Sequence, residues 1–223
     1  MLPRAAVFTM LLVGLPGCFP VYSPPIRGLL GGMPDRVARG QLELGGSIGG
    51  VLAAPTTGGP HLAYGLSDSL VLEGGANLNF VEGLFATAFA GMRLLRGWAL
   101  GSEFRLVGDL ELGAGGGVGG RAVSLRMTEW ASQYAGGFYQ GVGAGLRWRF
   151  LGLFLRGRLD VSAATLAPST LWPSVFLGLE ARLGPEVVVA VGGGSTGFWN
   201  EKSGWTHLWL YQAQVVLVFD LVR

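Results

Sequence analysis

An all-β fold, a closed antiparallel up-and-down transmembrane β-barrel of about ten strands, is what this sequence predicts, on three observations. The 223-residue chain is 50% hydrophobic and only 13% charged, with a positive mean hydropathy, a balance closer to a membrane protein than to a soluble one. Its 40 glycines and 11 prolines interrupt every long apolar run beyond the N-terminus, as at Gly58-Gly59-Pro60 and from Pro168 to Pro173, so no spanning helix of ~20 residues can be drawn. From Arg39 onward, apolar and polar residues alternate with a period of two, as half-buried strands require. Lipid offers backbone groups no hydrogen-bond partner, so a spanning structure made of strands must close on itself. The length suits one domain plus an N-terminal segment.

The first element is an export signal over 1–17: Arg4, an apolar stretch from Ala5 to Val13, then small residues. It runs into Leu15-Pro16-Gly17-Cys18, which resembles the bacterial lipobox, with Pro16 where a small or hydroxyl residue is usual. That resemblance implies acylation of Cys18 as the first residue of the mature chain. Phe19 after it, rather than Asp, implies sorting to the outer membrane. The other reading is an ordinary cleaved signal with an incidental cysteine. Residues 18–38 follow as the lipidated N-terminus and a flexible periplasmic tether, because four prolines and several glycines suit no regular element.

Ten strands are predicted near 40–53, 59–66, 70–80, 84–95, 98–116, 137–150, 153–164, 174–183, 186–197 and 206–221, with eight as the alternative because the second is short and the fourth alternates weakly. The clearest is the fifth, where Trp98, Leu100, Phe104, Leu106, Leu110 and Leu112 oppose Glu103, Arg105, Asp109 and Glu111. Alternation alone fits a soluble sandwich as well as a barrel. Three features favour the barrel. Short turns near 67–69, 96–97, 151–152 and 184–185 interleave with longer loops near 54–60, 117–136, 165–173 and 199–205. Outward aromatics form two girdles, with Tyr64, Trp98, Trp148, Phe150 and Phe219 at the periplasmic end and Phe80, Phe138, Trp172, Phe198 and Trp209 at the external end. The final segment, Trp209 to Leu221, resembles the closing strand of outer-membrane proteins, with Arg223 in place of a final aromatic.

Over 39–223 the chain resembles small bacterial outer-membrane β-barrel proteins as a class. The resemblance implies an outer-membrane location with both termini periplasmic. The partners it implies are outer-membrane lipids and the insertion and lipoprotein-sorting machinery.

Projected inward, the alternation predicts a lumen charge network. Glu43, Glu73, Glu103, Asp109, Glu111, Asp160 and Glu180 face Arg105, Arg147, Arg149, Arg156, Arg158 and Arg182, with Glu103 roughly opposite Arg149 and Arg158 opposite Glu180. A barrel of eight to ten strands is narrow enough for such side chains to fill it. The expectation is therefore a non-enzymatic envelope element with a plugged lumen, or a narrow pore that passes small solutes if the lumen is open.

Catalytic motifs are sparse. Gly193-Gly194-Ser195-Thr196-Gly197 matches G-x-S-x-G, but no helix follows to make a nucleophile elbow. The glycine runs at 115–120 and 192–197 lack the strand–helix context of a dinucleotide site. Ser195 and His207 stand on adjacent predicted strands near the external rim, and certain outer-membrane acyl hydrolases, which this barrel resembles, carry a Ser and a His on the outer wall. That leaves a lipid acyl hydrolase as one alternative, and a surface-binding barrel acting through the external segment 119–136, with Arg121, Arg126, Glu129, Trp130 and Tyr134, as another. No metal or cofactor site is legible, since His61 and His207 are the only histidines and neither has a His or Cys at ligand spacing. Scattered arginines argue against nucleic acid.

Overall fold

A computed structural model describes residues 25, 27, 31–51, 54–79, 84–122, 130–165, 167–201 and 204–221, without the side chains of 51, 54–55, 120–122 and 130–132. The signal segment, Cys18, Phe80, Arg126 and Glu129 lie outside the described residues. Ten strands form the fold: β1 (Gln41–Val51), β2 (Ala54–Gly65), β3 (Leu70–Asn79), β4 (Leu84–Ala99), β5 (Phe104–Ala122), β6 (Trp130–Trp148), β7 (Leu151–Ala164), β8 (Ala167–Arg182), β9 (Val187–Asn200) and β10 (Gly204–Asp220). Each pairs antiparallel with its neighbours in sequence, and β1 pairs with β10 from Gln41↔Asp220 to Val51↔Leu210. The sheet is therefore a closed up-and-down barrel of ten strands rather than eight, with no free edge. The near mouth is the end where β1 begins and β10 finishes; the far mouth is opposite.

Sidedness follows from the pleat. Leu44, Leu72, Leu110, Leu153, Val175 and Leu217 stand exposed on the outer wall, while Glu73, Asp109, Glu111, Arg156, Asp160 and Glu180 are buried inside. A soluble protein keeps contiguous exposed apolar patches to a few hundred Å². Here the apolar surface encircles the barrel and the charges fill its axis, the arrangement of a wall immersed in lipid. No helix among the described residues is long and apolar enough to cross a membrane.

The strands run further than the alternation suggested. β5 and β6 pair continuously from Phe104↔Trp148 to Ala122↔Trp130, so most of the loop expected over 117–136 is strand, and the segments expected as loops at 54–60 and 165–173 belong largely to β2 and β8. Prolines account for part of the error. Pro60 and Pro173 sit within strands, each where one ladder is interrupted: β2 and β3 pair at Gly58↔Leu78 and next at His61↔Gly75, and β8 and β9 at Leu171↔Trp199 and next at Ser174↔Thr196. Gaps there leave no partner waiting for the missing N–H. The Pro173 carbonyl accepts from Thr196 Oγ1 at 3.3 Å. Trp172 and Phe198 also depart from the outward girdle assigned to them. Both are buried (5% and 3% exposed) and pack against each other in the lumen, tilted by 46° with ring centroids 5.1 Å apart, leaving Trp199 outward.

The described part of the segment expected to be a tether is not one. Arg27, Met33, Arg36 and Val37 are buried inside the barrel. The chain leaves the lumen for the wall at Gly40, whose φ of 75° suits glycine. Its N–H donates to the Gly65 carbonyl at 2.8 Å, and its own carbonyl accepts from Leu221 at 3.0 Å, so the exit point is tied to both β2 and the end of β10.

Candidate functional site

Residues 31–38 adopt no regular secondary structure, so their backbone groups find no ladder. A buried N–H or C=O without a partner costs about 1–3 kcal/mol, and the barrel wall supplies the partners. The Gly31 carbonyl accepts from Gln212 Nε2 at 3.2 Å, the Gly32 carbonyl from Arg156 Nε at 2.7 Å and the Arg36 carbonyl from Arg182 Nη2 at 2.9 Å. Arg158 donates to the Arg27 carbonyl. In the opposite sense, Met33 N–H donates to Glu180 Oε2 at 3.0 Å and Arg27 N–H to Asp160 Oδ1 at 3.2 Å.

Two arginines of the segment are the charged anchors. Arg27 Nη1 lies 2.5 Å from Glu73 Oε1 and 3.2 Å from Glu111 Oε2, with its guanidinium 5.1 Å from the Phe89 ring centroid and 5.5 Å from that of Tyr139. Tyr139 donates its hydroxyl to the same Glu73 oxygen at 3.1 Å. Nearer the near mouth, Arg36 reaches Glu180 at 2.7 Å and Glu43 at 3.2 Å and donates to Gln214 Oε1 at 3.0 Å. Asp35 receives Arg147 at 2.8 Å, and Arg147 also meets Glu180 at 3.1 Å.

The wall adds its own pairs: Arg156 with Asp109 at 2.7 Å and Glu111 at 3.1 Å, Arg158 with Asp160 at 2.8 Å, Arg93 with Glu73 at 3.1 Å, and His61 with Glu43 at 2.8 Å. Buried charges persist when ion pairing and hydrogen bonding offset their desolvation. Each of these arginines has a carboxylate partner, while Glu43 Oε2, Asp109 Oδ1 and Arg147 Nη1 are buried without a hydrogen bond.

Apolar contacts accompany the ion pairs. Met33 is fully buried against Val107, Phe154, Phe176 and Ala190. Gly145 and Gly152 clear its seat, since a Cβ at either would fall within 2.8 Å of the methionine side chain. The void left between Arg27, Arg36, Glu43, His61 and Arg93 is about 10 Å³, room for about one water molecule.

The predicted network is thus partly relocated. Glu43, Glu73, Asp109, Glu111, Arg147, Arg156, Arg158, Asp160, Glu180 and Arg182 line the lumen, but Arg158 pairs with Asp160 and faces Ser174 in register, while Glu180 belongs to Arg36 and Arg147. Arg149 does pair with Glu103, at an exposed turn of the near mouth rather than inside; Arg149 has a φ of 51° there. Arg105 is exposed at the same mouth. Glu103 has its carboxyl held below the usual carboxylate range because Arg149, and then Trp148, donate to it. Sequence reasoning missed Arg27, Asp35, Arg36 and Arg93. The first three lie in a segment without periodicity, and Arg93 lies on the strand whose alternation was weakest.

Among the described residues, no group of three or more His, Cys, Asp or Glu could hold a metal ion. On the outer wall, Ser195 Oγ and His207 Nε2 are 2.5 Å apart, which brings together the two catalytic candidates.

No protein-family model matches this chain, and no curated protein matches it in sequence. Among solved structures, the N-terminal β-barrel domain of Pseudomonas aeruginosa OprF is similar at 12% identity with a TM-score of 0.43, over 81% of this chain and 98% of that one. The outer-membrane protease OmpT from Escherichia coli (8% identity, TM-score 0.27, 80% and 92% covered) and the CymD monoaromatic hydrocarbon channel (10%, 0.24, 81% and 87%) are similar more distantly. The likeness is one of barrel architecture.

Proposed function

We propose that this chain is a bacterial outer-membrane β-barrel lipoprotein whose lumen is sealed by its own N-terminal segment, and that it serves as a non-conducting structural element of the envelope. The observation that carries this reading is the pair Arg27 and Arg36, each buried and each bridging two wall carboxylates on different strands. The narrow-pore alternative needs free arginines along the wall, whereas Arg147, Arg156 and Arg158 are all engaged. Around Arg27, Arg36, Glu43, His61 and Arg93 the described lumen leaves a void of only about 10 Å³, which supports the non-enzymatic reading there. The encircling apolar wall supports residence in a membrane. The near mouth, where β1 begins and β10 finishes, then faces the periplasm, and Cys18 carries the lipid. Outer-membrane lipids and the insertion and sorting machinery are the partners of this reading.

The test is single-channel recording in a planar bilayer, on protein whose folding has been shown by a heat-sensitive gel shift. Wild type stays silent, and Arg27→Ala with Arg36→Ala together produces openings. Steady wild-type conductance overturns the seal. Mass spectrometry of the mature N-terminus checks acylation at Cys18 separately.

A further inference from the structure

The outer wall carries a polar pair that the sealed lumen does not explain. Ser195 on β9 and His207 on β10 both face outward, in the same parity as Val191 and Trp199 on one strand and Trp205 and Trp209 on the other. In register Ser195 stands opposite Trp209 and His207 opposite Gly197, so serine and imidazole are diagonal neighbours. Their contact of 2.5 Å joins Oγ to Nε2. His207 also meets Trp209 edge-on, with centroids 5.3 Å apart, which limits the ring's freedom to turn. An ionisable side chain on a lipid-facing wall is costly to keep and marks a functional site by default.

The G-x-S-x-G pattern acquires a meaning on a strand that it lacks on an elbow. Alternation puts Gly193, Ser195 and Gly197 on the same outward face. At Gly197 the missing side chain is replaced by Trp205, whose ring lies 2.8 Å from where a Cβ would stand. At Gly193 the position is open, with only the Leu210 carbonyl at 3.5 Å. Ser195 therefore borders an uncovered notch on one side and a tryptophan on the other. The surrounding Trp199, Trp205 and Trp209 place it at the depth where aromatic side chains meet lipid headgroups, which is also the depth of the ester linkages of membrane lipids.

From this geometry we infer that Ser195 and His207 form an acyl-transfer site on the outer wall, acting on ester-linked acyl chains of membrane lipids, with the chain laid in the notch at Gly193. Ser195 Oγ attacks the ester carbonyl carbon while its proton passes to Nε2 of neutral His207. The bond from carbonyl carbon to the lipid alcohol breaks, and His207 returns the proton to the departing oxygen. Water from the interface then attacks the acyl-serine, giving its proton to His207 and its hydroxyl to the acyl carbon. His207 returns that proton to Ser195 Oγ, the fatty acid leaves and the site is restored. The site is independent of whether the lumen is sealed.

The test uses the full-length folded barrel, with an alkyl fluorophosphonate as probe and mass spectrometry to map the adduct. Wild type labels at Ser195, Ser195→Ala does not, and His207→Ala labels about a hundredfold more slowly, the usual contribution of a general base. Fatty-acid release is followed in parallel from phosphatidylethanolamine and phosphatidylglycerol vesicles, and from the same vesicles carrying an ester-acylated glycolipid. Release from the first identifies phospholipid as a source, and release only from the second identifies glycolipid. A gel-verified wild-type barrel that neither labels nor releases fatty acid overturns the proposal, as does a Ser195→Ala barrel that releases it at the wild-type rate.

Discussion

The near and far halves of the lumen are furnished differently. Toward the near mouth and up to the middle of the barrel, the inward side chains are Glu43, Glu73, Arg93, Asp109, Glu111, Arg147, Arg156 and Glu180, and the N-terminal segment lies among them. Toward the far mouth they are mostly neutral, namely Asn79, Thr87, Gln133, Thr170, Ser174 and Thr196 with the tilted Trp172–Phe198 pair, the charged exception being the mutually paired Arg158 and Asp160 on β7, opposite Ser174 and Trp172 in register. Both halves are inward faces of the same strands, so burial alone does not explain the contrast. What differs is the irregular segment. Its carbonyls, N–H groups and two guanidiniums require partners that no ladder supplies, and charged wall residues stand where that demand is. Among the described lumen residues, six wall carboxylates face five wall guanidiniums, and Arg27, Arg36 and Asp35 bring the two signs to seven each.

The sharpest way to break the comparison is in the charged half. Arg36→Ala removes a cation shared by Glu180 and Glu43 and is expected to destabilise the barrel by about 3 kcal/mol, since two buried carboxylates lose a common cation and keep only Arg147 and His61. A denaturant titration read by tryptophan fluorescence checks it, and a loss under 1 kcal/mol would mean that the segment is not anchored by charge. In the neutral half, Ser174→Ala deletes a 2.8 Å hydrogen bond to Thr196 and is expected to cost about 1 kcal/mol in the same titration. An effect as large as that of Arg36→Ala would erase the distinction between the halves.

The smallest effect is expected outside the lumen. Because the folded Glu103 carboxyl titrates below its unfolded value, the contribution of its contact with Arg149 is complete above a pH of about 4.3 and fades as the pH falls through the lower folded value. Glu103→Gln should therefore lower the melting temperature slightly at pH 7 and leave it unchanged near pH 2. A difference that grows on acidification contradicts that sign.

The barrel and much of its lining were legible because a pleated strand forces neighbours to opposite faces. Asp109 and Glu111 on β5, or Arg156, Arg158 and Asp160 on β7, could be assigned inward from parity alone. Parity failed at strand ends and in turns. Arg149 sits in a turn with positive φ, and Arg105 lies at a mouth open to water, so neither joins the network despite the correct charge. It failed again at Trp172 and Phe198, where prolines and glycines obscured where β8 and β9 extend. Arg93 escaped notice because its β4 neighbours, Ala86, Ala88 and Ala90, are too small to mark an outward face clearly.

What the sequence determined by itself is the wall: period-two patterning over ten segments specifies which side of each strand meets lipid, and composition excludes the helical way of crossing it. Only the tertiary structure decided that the described part of the N-terminal segment lies inside the lumen, with Arg27, Met33, Arg36 and Val37 buried there. Arg36 and Glu180 are 144 residues apart in sequence, as Arg27 and Glu111 are 84 apart. A segment with no periodicity carries no local sign of where its charges will be paired. That pairing exists only once ten strands have closed and brought carboxylates from β1, β3, β5 and β8 around a common axis.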